Sequence, residues 1–411
     1  MKLTNAQIAA LTKKRWVLLV ICCLINLCIG SMYAWSVLAA PMAQELNVPS
    51  LSIVFSVANA LGFISMIIDG LLADRKGPRW VMFVGGLMFG VGMFGCGFAQ
   101  SVGHLILSYG VILGLGMSFV YGCTISTCIK FFPDKRGMAG GMATAFYGIS
   151  SVIIAPIANV LNSSVGVRTS FKILGAVFLV VICLGSLFIS TCPAGFMPTG
   201  YQPPVQAGGK APVDKTTGEM LRMPIFYIML VMLTCGGVFG MMVISSASSL
   251  AVNIAGVNPA TASLLVSVLC LFNTAGRLIA GSLSDKLGRI NTLTIAIVIA
   301  MVGLVVLYTA EVNASLPLLV VGLILMGICF GTFMGVFPGF CTDQFGSRHN
   351  TVNYGIMWIG FCIAGIAGPT ILTRVYASAG MYRTAFLIAM GIAILGLLMT
   401  FIYRSVVKKM A

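Results

Sequence analysis

Gly70-Leu-Leu-Ala-Asp74-Arg75-Lys76-Gly77 and Gly281-Ser-Leu-Ser-Asp285-Lys286-Leu-Gly288-Arg289 are the two stretches on which the fold turns. Each ends a long apolar run with a glycine, an acid and basic residues, and the two acids lie 211 residues apart. A second pair keeps nearly the same offset: Asp134-Lys-Arg-Gly137 followed by Tyr147-Gly148, against Asp343-Gln-Phe-Gly346 followed by Tyr354-Gly355, at 209 and 207 residues. Punctuation repeated at one period marks two similar halves. Within the motif, glycine permits a tight turn, Asp74 can accept hydrogen bonds from a neighbouring helix N-terminus, and Arg75 can pair with a nearby acid. We therefore expect Asp74, Arg75 and Gly77, with Asp285 and Arg289 in the repeat, to latch one conformation; a charge cluster that only sets topology is the alternative.

Working outward, 59% of the 411 residues are hydrophobic and only 8% are charged, and the mean hydropathy is +1.05. The few charges gather in short clusters between apolar stretches, as loops between membrane spans do. Twelve nearly uncharged segments can be marked, at about 16–37, 52–73, 79–99, 103–129, 138–162, 169–191, 224–248, 261–283, 290–310, 315–340, 350–373 and 384–403. They are too long for barrel strands and do not alternate polar with apolar. The expected fold is an all-α membrane protein of twelve transmembrane helices in two pseudo-symmetric six-helix bundles. The bundles are 1–191 and 224–411, joined by a Pro-, Gly- and Lys-rich cytoplasmic linker over 192–223 that carries Pro193, Pro198, Pro203, Pro204 and Pro212.

The net charge of +15 follows from 24 Lys and Arg against 9 Asp and Glu. No basic stretch is interleaved with aromatics, so nucleic acid is not the partner. The cations sit at span ends: from Lys2 through Lys210 to Lys409, nineteen fall on one side, and only Arg168, Lys172, Arg374 and Arg383 fall on the other. The positive-inside rule then places both termini in the cytoplasm, which suits a multi-pass protein of the plasma (inner) membrane. Lys13, Lys14 and Arg15 before an apolar run imitate a secretory signal, but the run is longer than the roughly 7 to 15 residues of one, and it reads as the first span.

Thirteen cysteines include no C-x-x-C pair, and most fall inside spans, where Cys behaves as a small apolar residue. His104 and His349 fall near opposite faces and cannot share a metal. Gly85, Gly86, Gly90, Gly92, Gly114 and Gly116 lie within spans, where they let helices approach closely, and no Lys-Ser or Lys-Thr follows them to make a phosphate loop. With no Ser-His-Asp, metal or paired-acid set, neither an enzyme nor a cofactor is expected.

The motif at 70–79 resembles the loop between helices 2 and 3 of the major facilitator superfamily, which recurs in weaker form between helices 8 and 9. A narrower resemblance covers nearly the whole chain. Tyr33-Ala-Trp35-Ser36, Phe131-Phe-Pro-Asp134-Lys-Arg-Gly137, Gly218-Glu-Met-Leu-Arg222-Met-Pro224, Leu271-Phe-Asn273 with Gly276-Arg277, and Asn353-Tyr354-Gly355 are similar to runs in the oxalate/formate antiporter family and related bacterial monocarboxylate transporters. That resemblance implies a carrier of small carboxylates through a central cavity, by exchange or with protons.

Arg277 is the cation that falls inside a span. A charge near the bilayer centre costs roughly 2.5 to 3.5 kcal/mol on insertion scales. Its fork suits bidentate pairing with a carboxylate, which makes Arg277 the expected substrate anchor, provided that it reaches a solvent-accessible chamber. A structural arginine bonded to carbonyls is the alternative. Asn273, four residues earlier on the same face, can orient it or can simply pack. Animal monocarboxylate transporters resemble this helix but carry Asp at the position of Asn273, which weakens a simple internal proton acceptor there.

In the oxalate exchanger a Lys of helix 11 faces the Arg, and the matching position here is Phe361. One cation beside one apolar residue favours lactate, pyruvate or formate over oxalate. By resemblance, Tyr33, Tyr121, Tyr147, Phe330 and Trp358 line the cavity, where hydroxyls can donate to a carboxylate and rings size the pocket; each is otherwise a packing or interfacial residue. Asp69 can titrate but reads as the cytoplasmic end of helix 2, and His104 reads as an exposed loop-end residue. The expected function is secondary active transport of small monocarboxylates by alternating access, as symport with protons or as antiport, by a carrier acting as a monomer. The alternatives are an oxalate/formate-type dicarboxylate exchanger, a carboxylate-sensing membrane protein and a proton-driven drug exporter. The exporter lacks its G-x-x-x-G-P run, where this chain has Ile153-Ile-Ala-Pro156.

Overall fold

In the computed structural model, residues 4–48, 51–193, 195–201 and 214–410 are described. Lys2 and the linker residues Pro203, Pro204, Lys210 and Pro212 lie outside them. Among the described residues every regular element is helical, and twelve helices are long and apolar enough to cross a membrane. They are α1 Asn5–Ala34, α2 Ile53–Lys76, α3 Pro78–Cys96, α4 Val102–Phe131, α5 Arg136–Val165 and α6 Val167–Phe188. The second six are α7 Pro224–Ile244, α8 Thr261–Leu287, α9 Arg289–Val312, α10 Leu316–Phe345, α11 Asn350–Ala379 and α12 Arg383–Lys409.

Helix α1 begins well before the apolar run because Thr4 and Gln7 form a capping box that starts a polar first turn. The last residues of α1, Gly30–Ala34, tighten into a 3-10 turn, and the chain continues as a helix over Trp35–Glu45. Its counterpart after α7 is the helix Ala247–Ala255, which starts 212 residues later. The repeat extends to the backbone. Gly77 between α2 and α3 has φ 86° and ψ 159°, and Gly288 between α8 and α9 has φ 86° and ψ 148°. Only glycine adopts that region without strain, so one turn geometry joins both helix pairs.

By packing, the chain divides into two compact units, Met1–Thr217 with Cys341–Ile356, and Gly218–Phe340 with Met357–Ala411. The end of α10 and the start of α11 thus pack in the first unit, although in sequence they belong to the second half. Several bonds hold them there. Lys215 N donates to Phe345 O at 2.8 Å, and Asp214 Oδ1 accepts from Ser347 N and Arg348 N at 3.0 and 3.1 Å. Arg136 pairs with Asp343 at 2.7 Å.

Within the first unit α3 lies along both α4 and α6 with almost no side chain between backbones: a Cβ at Gly85 would sit 3.0 Å from Gly116 O, and one at Gly175 would sit 2.4 to 2.9 Å from Phe94 atoms. In the second unit α8 and α10 are joined by a glycine ladder. A Cβ at Gly276 would lie 2.5 Å from Ile328 O, one at Gly327 would lie 2.8 Å from Leu269 O, and one at Gly335 would lie 2.6 Å from Arg277 O. Such approach trades side-chain volume for dispersion contact, which holds helices together where solvent offers no hydrophobic push.

Candidate functional site

Arg277 sits in the middle of α8 and is 1% exposed. Its Nε donates to Asn273 Oδ1 at 3.0 Å, one helical turn back, so the expected orienting contact is present. The ladder bears on this same turn. A Cβ at Gly331 would run into the Asn273 carbonyl oxygen and would lie 3.1 Å from Arg277 N, so only glycine lets α10 approach. Phe330, the preceding residue, is buried with its ring against Gly240 of α7. Its centroid lies 6.2 Å from that of Phe361, which stacks on Trp358 at 4.4 Å. Three of the expected aromatic residues therefore form one group in the second unit, and the Arg277–Asn273 pair adjoins it through the 330–331 step of α10. At 1% exposure the guanidinium does not reach solvent in this structure, against the solvent-accessible position expected of it.

The tyrosines form a second group, in the first unit. Tyr147 lies between the other two, its centroid 5.1 Å from Tyr33 and 5.0 Å from Tyr121. Tyr33 is 38% exposed, whereas Tyr121 and Tyr147 are buried, so the trio leads from an open edge inward. Sequence reasoning missed what positions them. Asn26 of α1, 0% exposed, donates from Nδ2 to Ala143 O at 3.0 Å and accepts from Thr124 Oγ1 at 2.8 Å. It thereby ties α1 to α5 and α4, while Ser150 Oγ donates to Leu27 O at 2.6 Å. A lone Asn within an apolar span was the available signal, since a buried amide needs partners.

The first loop motif is engaged within the first unit. Asp74 pairs with Lys130 of α4 at 2.9 Å. It also accepts from Thr351 Oγ1 at 3.0 Å and from Val352 N at 3.4 Å, at the N-terminus of α11, where the helix dipole favours an anion. Arg75 departs from expectation: it is exposed and makes no ion pair with a described residue. Neighbouring residues on a helix point about 100° apart, so Asp74 can face α4 while Arg75 turns outward, and the last turn of α4 supplies the cation instead. In the repeat, Asp285 and Arg289 pair with each other at 2.7 Å. Arg289 Nη1 also donates to Ser284 Oγ at 2.5 Å, and its guanidinium covers Gly339.

Twelve membrane-length helices in a duplicated pattern define a multi-pass membrane protein. The chain belongs to the major facilitator superfamily, whose model matches residues 19–369 and 240–410. It is 31% identical over 356 residues to an uncharacterised MFS-type transporter, YhjX of Escherichia coli K12, covering 86% of each chain. It is 28% identical over 395 residues to the oxalate:formate antiporter of Oxalobacter formigenes, covering 93% of this chain and 90% of that one. Among solved structures it superposes on the transporter FucP in the outward conformation with a TM-score of 0.73 at 15% identity, covering 94% and 98% of the two chains; that likeness concerns the fold alone.

Proposed function

We propose that this chain is a secondary carrier of small monocarboxylates of the lactate, pyruvate and formate type, with Arg277 as the anion anchor. The observation that carries the proposal is a guanidinium buried at mid-helix in α8 with its Nε held by Asn273. Fixing Nε orients the two terminal nitrogens, which is what bidentate capture of a carboxylate requires. Phe361 and Phe330 give the neighbourhood an apolar wall, which suits a substrate with one charge and a small tail. Tyr33, Tyr121 and Tyr147, candidates by resemblance, form a hydroxyl-bearing group of their own within the first unit.

Because Arg277 is sealed here, binding belongs to another state of the cycle, and alternation between the halves 1–191 and 224–411 about the linker supplies it. Asp74 with Gly77, and Asp285 with Arg289, hold one end state; Arg75, which makes no ion pair with a described residue, is left for the other. We place the carrier in the plasma (inner) membrane with both termini cytoplasmic, working as a monomer. A dicarboxylate-for-formate exchange is the second reading, favoured by the name of the Oxalobacter relative.

Uptake of labelled lactate, pyruvate, formate and oxalate into proteoliposomes separates the two. A monocarboxylate should be taken up faster than oxalate, and Arg277→Gln should lower uptake of the best substrate by at least about a hundredfold. Undiminished uptake by the variant removes Arg277 from the site.

A further inference from the structure

Five residues before Asp74, on the buried side of α2, Asp69 is 0% exposed. Neither of its carboxyl oxygens has a hydrogen-bond partner among the described residues. The group presses on α4: a Cβ at Gly122 would sit 2.9 Å from its Oδ2, so the absence of a side chain there is what makes room for the carboxyl. On the α11 side, α2 meets the backbone of the first unit's 350–355 stretch directly. A Cβ at Gly70 would lie 2.7 Å from Val352 N, and one at Gly355 would lie 2.8 Å from Met66 O. These contacts flank Asp69 in sequence by one residue and by three.

The ionisable groups around it do not compensate it. On its own helix stands Asp74, an acid. From α4 come Cys123 and Lys130, and Lys130 is taken by Asp74. The 350–355 stretch brings Thr351, Val352, Tyr354 and Gly355, none of them a cation. The charge on α3 is Arg79, which is exposed. No described cation forms an ion pair with Asp69. A carboxylate enclosed in this way, near the Gly70 backbone N–H but with no counter-charge among the described residues, is strongly disfavoured in an apolar interior.

We propose that Asp69 is a proton-binding site that couples proton movement to transport: it holds a proton while α2 packs on the start of α11 and releases it when the two part. On release the carboxyl O–H bond breaks towards entering water, leaving Asp69 as carboxylate and a hydrated proton in solution. The latch one turn further on makes the two events one. The Asp74 bonds to Thr351 and Val352 close the same seam that shields Asp69, so opening the seam admits water to the acid. This proposal deepens the carboxylate-carrier reading and rests on it for the substrate, but not for the proton.

The test uses the full chain in proteoliposomes with the best of the four labelled acids, comparing wild type with Asp69→Asn, which keeps the shape of the protonated acid but cannot exchange its proton. Uptake driven by an inward proton gradient should fall by at least about tenfold, while exchange at equal pH stays within about twofold. Asp69→Glu should restore part of the driven uptake. Driven uptake that survives in Asp69→Asn, wild-type uptake indifferent to the gradient, or equal loss of both modes overturns the proposal. A substrate-free arm keeps the two readings apart. Infrared difference spectra of purified protein should show a protonated-carboxyl band in wild type that Asp69→Asn lacks. If that band is present while none of the four acids is transported, the carboxylate reading fails and the proton site stands; a wild type without the band overturns the site.

Discussion

Asp74 and Thr351, 277 residues apart in sequence, are joined by a hydrogen bond of 3.0 Å from the threonine hydroxyl to the aspartate Oδ1. The same carboxylate takes the Lys130 ammonium at 2.9 Å and the Val352 amide at 3.4 Å, so one side chain serves α4 and α11 at once.

Removing it should loosen the start of α11. Hydrogen bonds to a charged group contribute about 1.5 to 3 kcal/mol each, so Asp74→Ala should speed amide exchange over residues 350–355 by tenfold or more, on the scale of about 1.4 kcal/mol per decade. Exchange mass spectrometry reads this directly. Thr351→Val should give a smaller acceleration, and unchanged protection in both variants means that the contact carries no stability.

Asn273 and Arg277 offer a sharper test of the anion site. Asn273→Asp places a carboxylate against Nε at the 3.0 Å contact and gives the guanidinium an internal anion to hold. The protein should remain folded, yet half-saturation for the best substrate should rise by at least about tenfold, with a smaller effect on turnover. Asn273→Ala, which orphans a buried donor, should instead lower thermal stability, since such a loss costs about 1 to 3 kcal/mol.

Phe361→Lys probes selectivity. A second cation on the wall that Phe361 shares with Phe330 and Trp358 should raise affinity for oxalate relative to lactate and pyruvate by about tenfold. Competition assays with the labelled monocarboxylate measure it. If oxalate competes no better than before, Phe361 does not face the bound anion.

The glycine ladder predicts a stability contrast. Gly331→Ala forces a methyl group into the Asn273 carbonyl, whereas Gly391→Ala in α12 adds one where nothing lies within 4 Å. Overpacking costs about 1 to 3 kcal/mol, so detergent-solubilised Gly331→Ala should melt several degrees lower. The Gly391 variant should melt with the wild type.

Much of the fold was legible because a membrane imposes strong rules. The apolar runs marked the twelve spans, and the two Asp-containing loops announced the repeat that Gly77 and Gly288 display as one backbone turn. The acceptor role of Asp74 at a helix N-terminus was readable from motif chemistry. Its cation was not, because Lys130 lies 56 residues away and nothing local distinguishes it from Arg75. The packing of the α10–α11 turn with the first unit was equally hidden, since Asp214, Lys215 and Arg136 reach it through contacts that no period reports. The tyrosine trio and the Phe330–Phe361–Trp358 group were named residue by residue from family likeness; that they form two clusters on separate units needed coordinates. The enclosure of Asp69 was not legible: its nearness to the loop motif gave its place along α2, whereas the seat that Gly122 makes for the carboxyl needed coordinates.

The meeting of α8 and α10 through bare backbone has one more consequence. Two rods fused over several turns cannot slide or roll independently, so any displacement of the Arg277 turn of α8 must swing Phe330 by the same lever stroke. Charge and bulky ring are thus geared together as a single cassette, and an agent that wedges the ladder apart would free one from the other without touching the guanidinium.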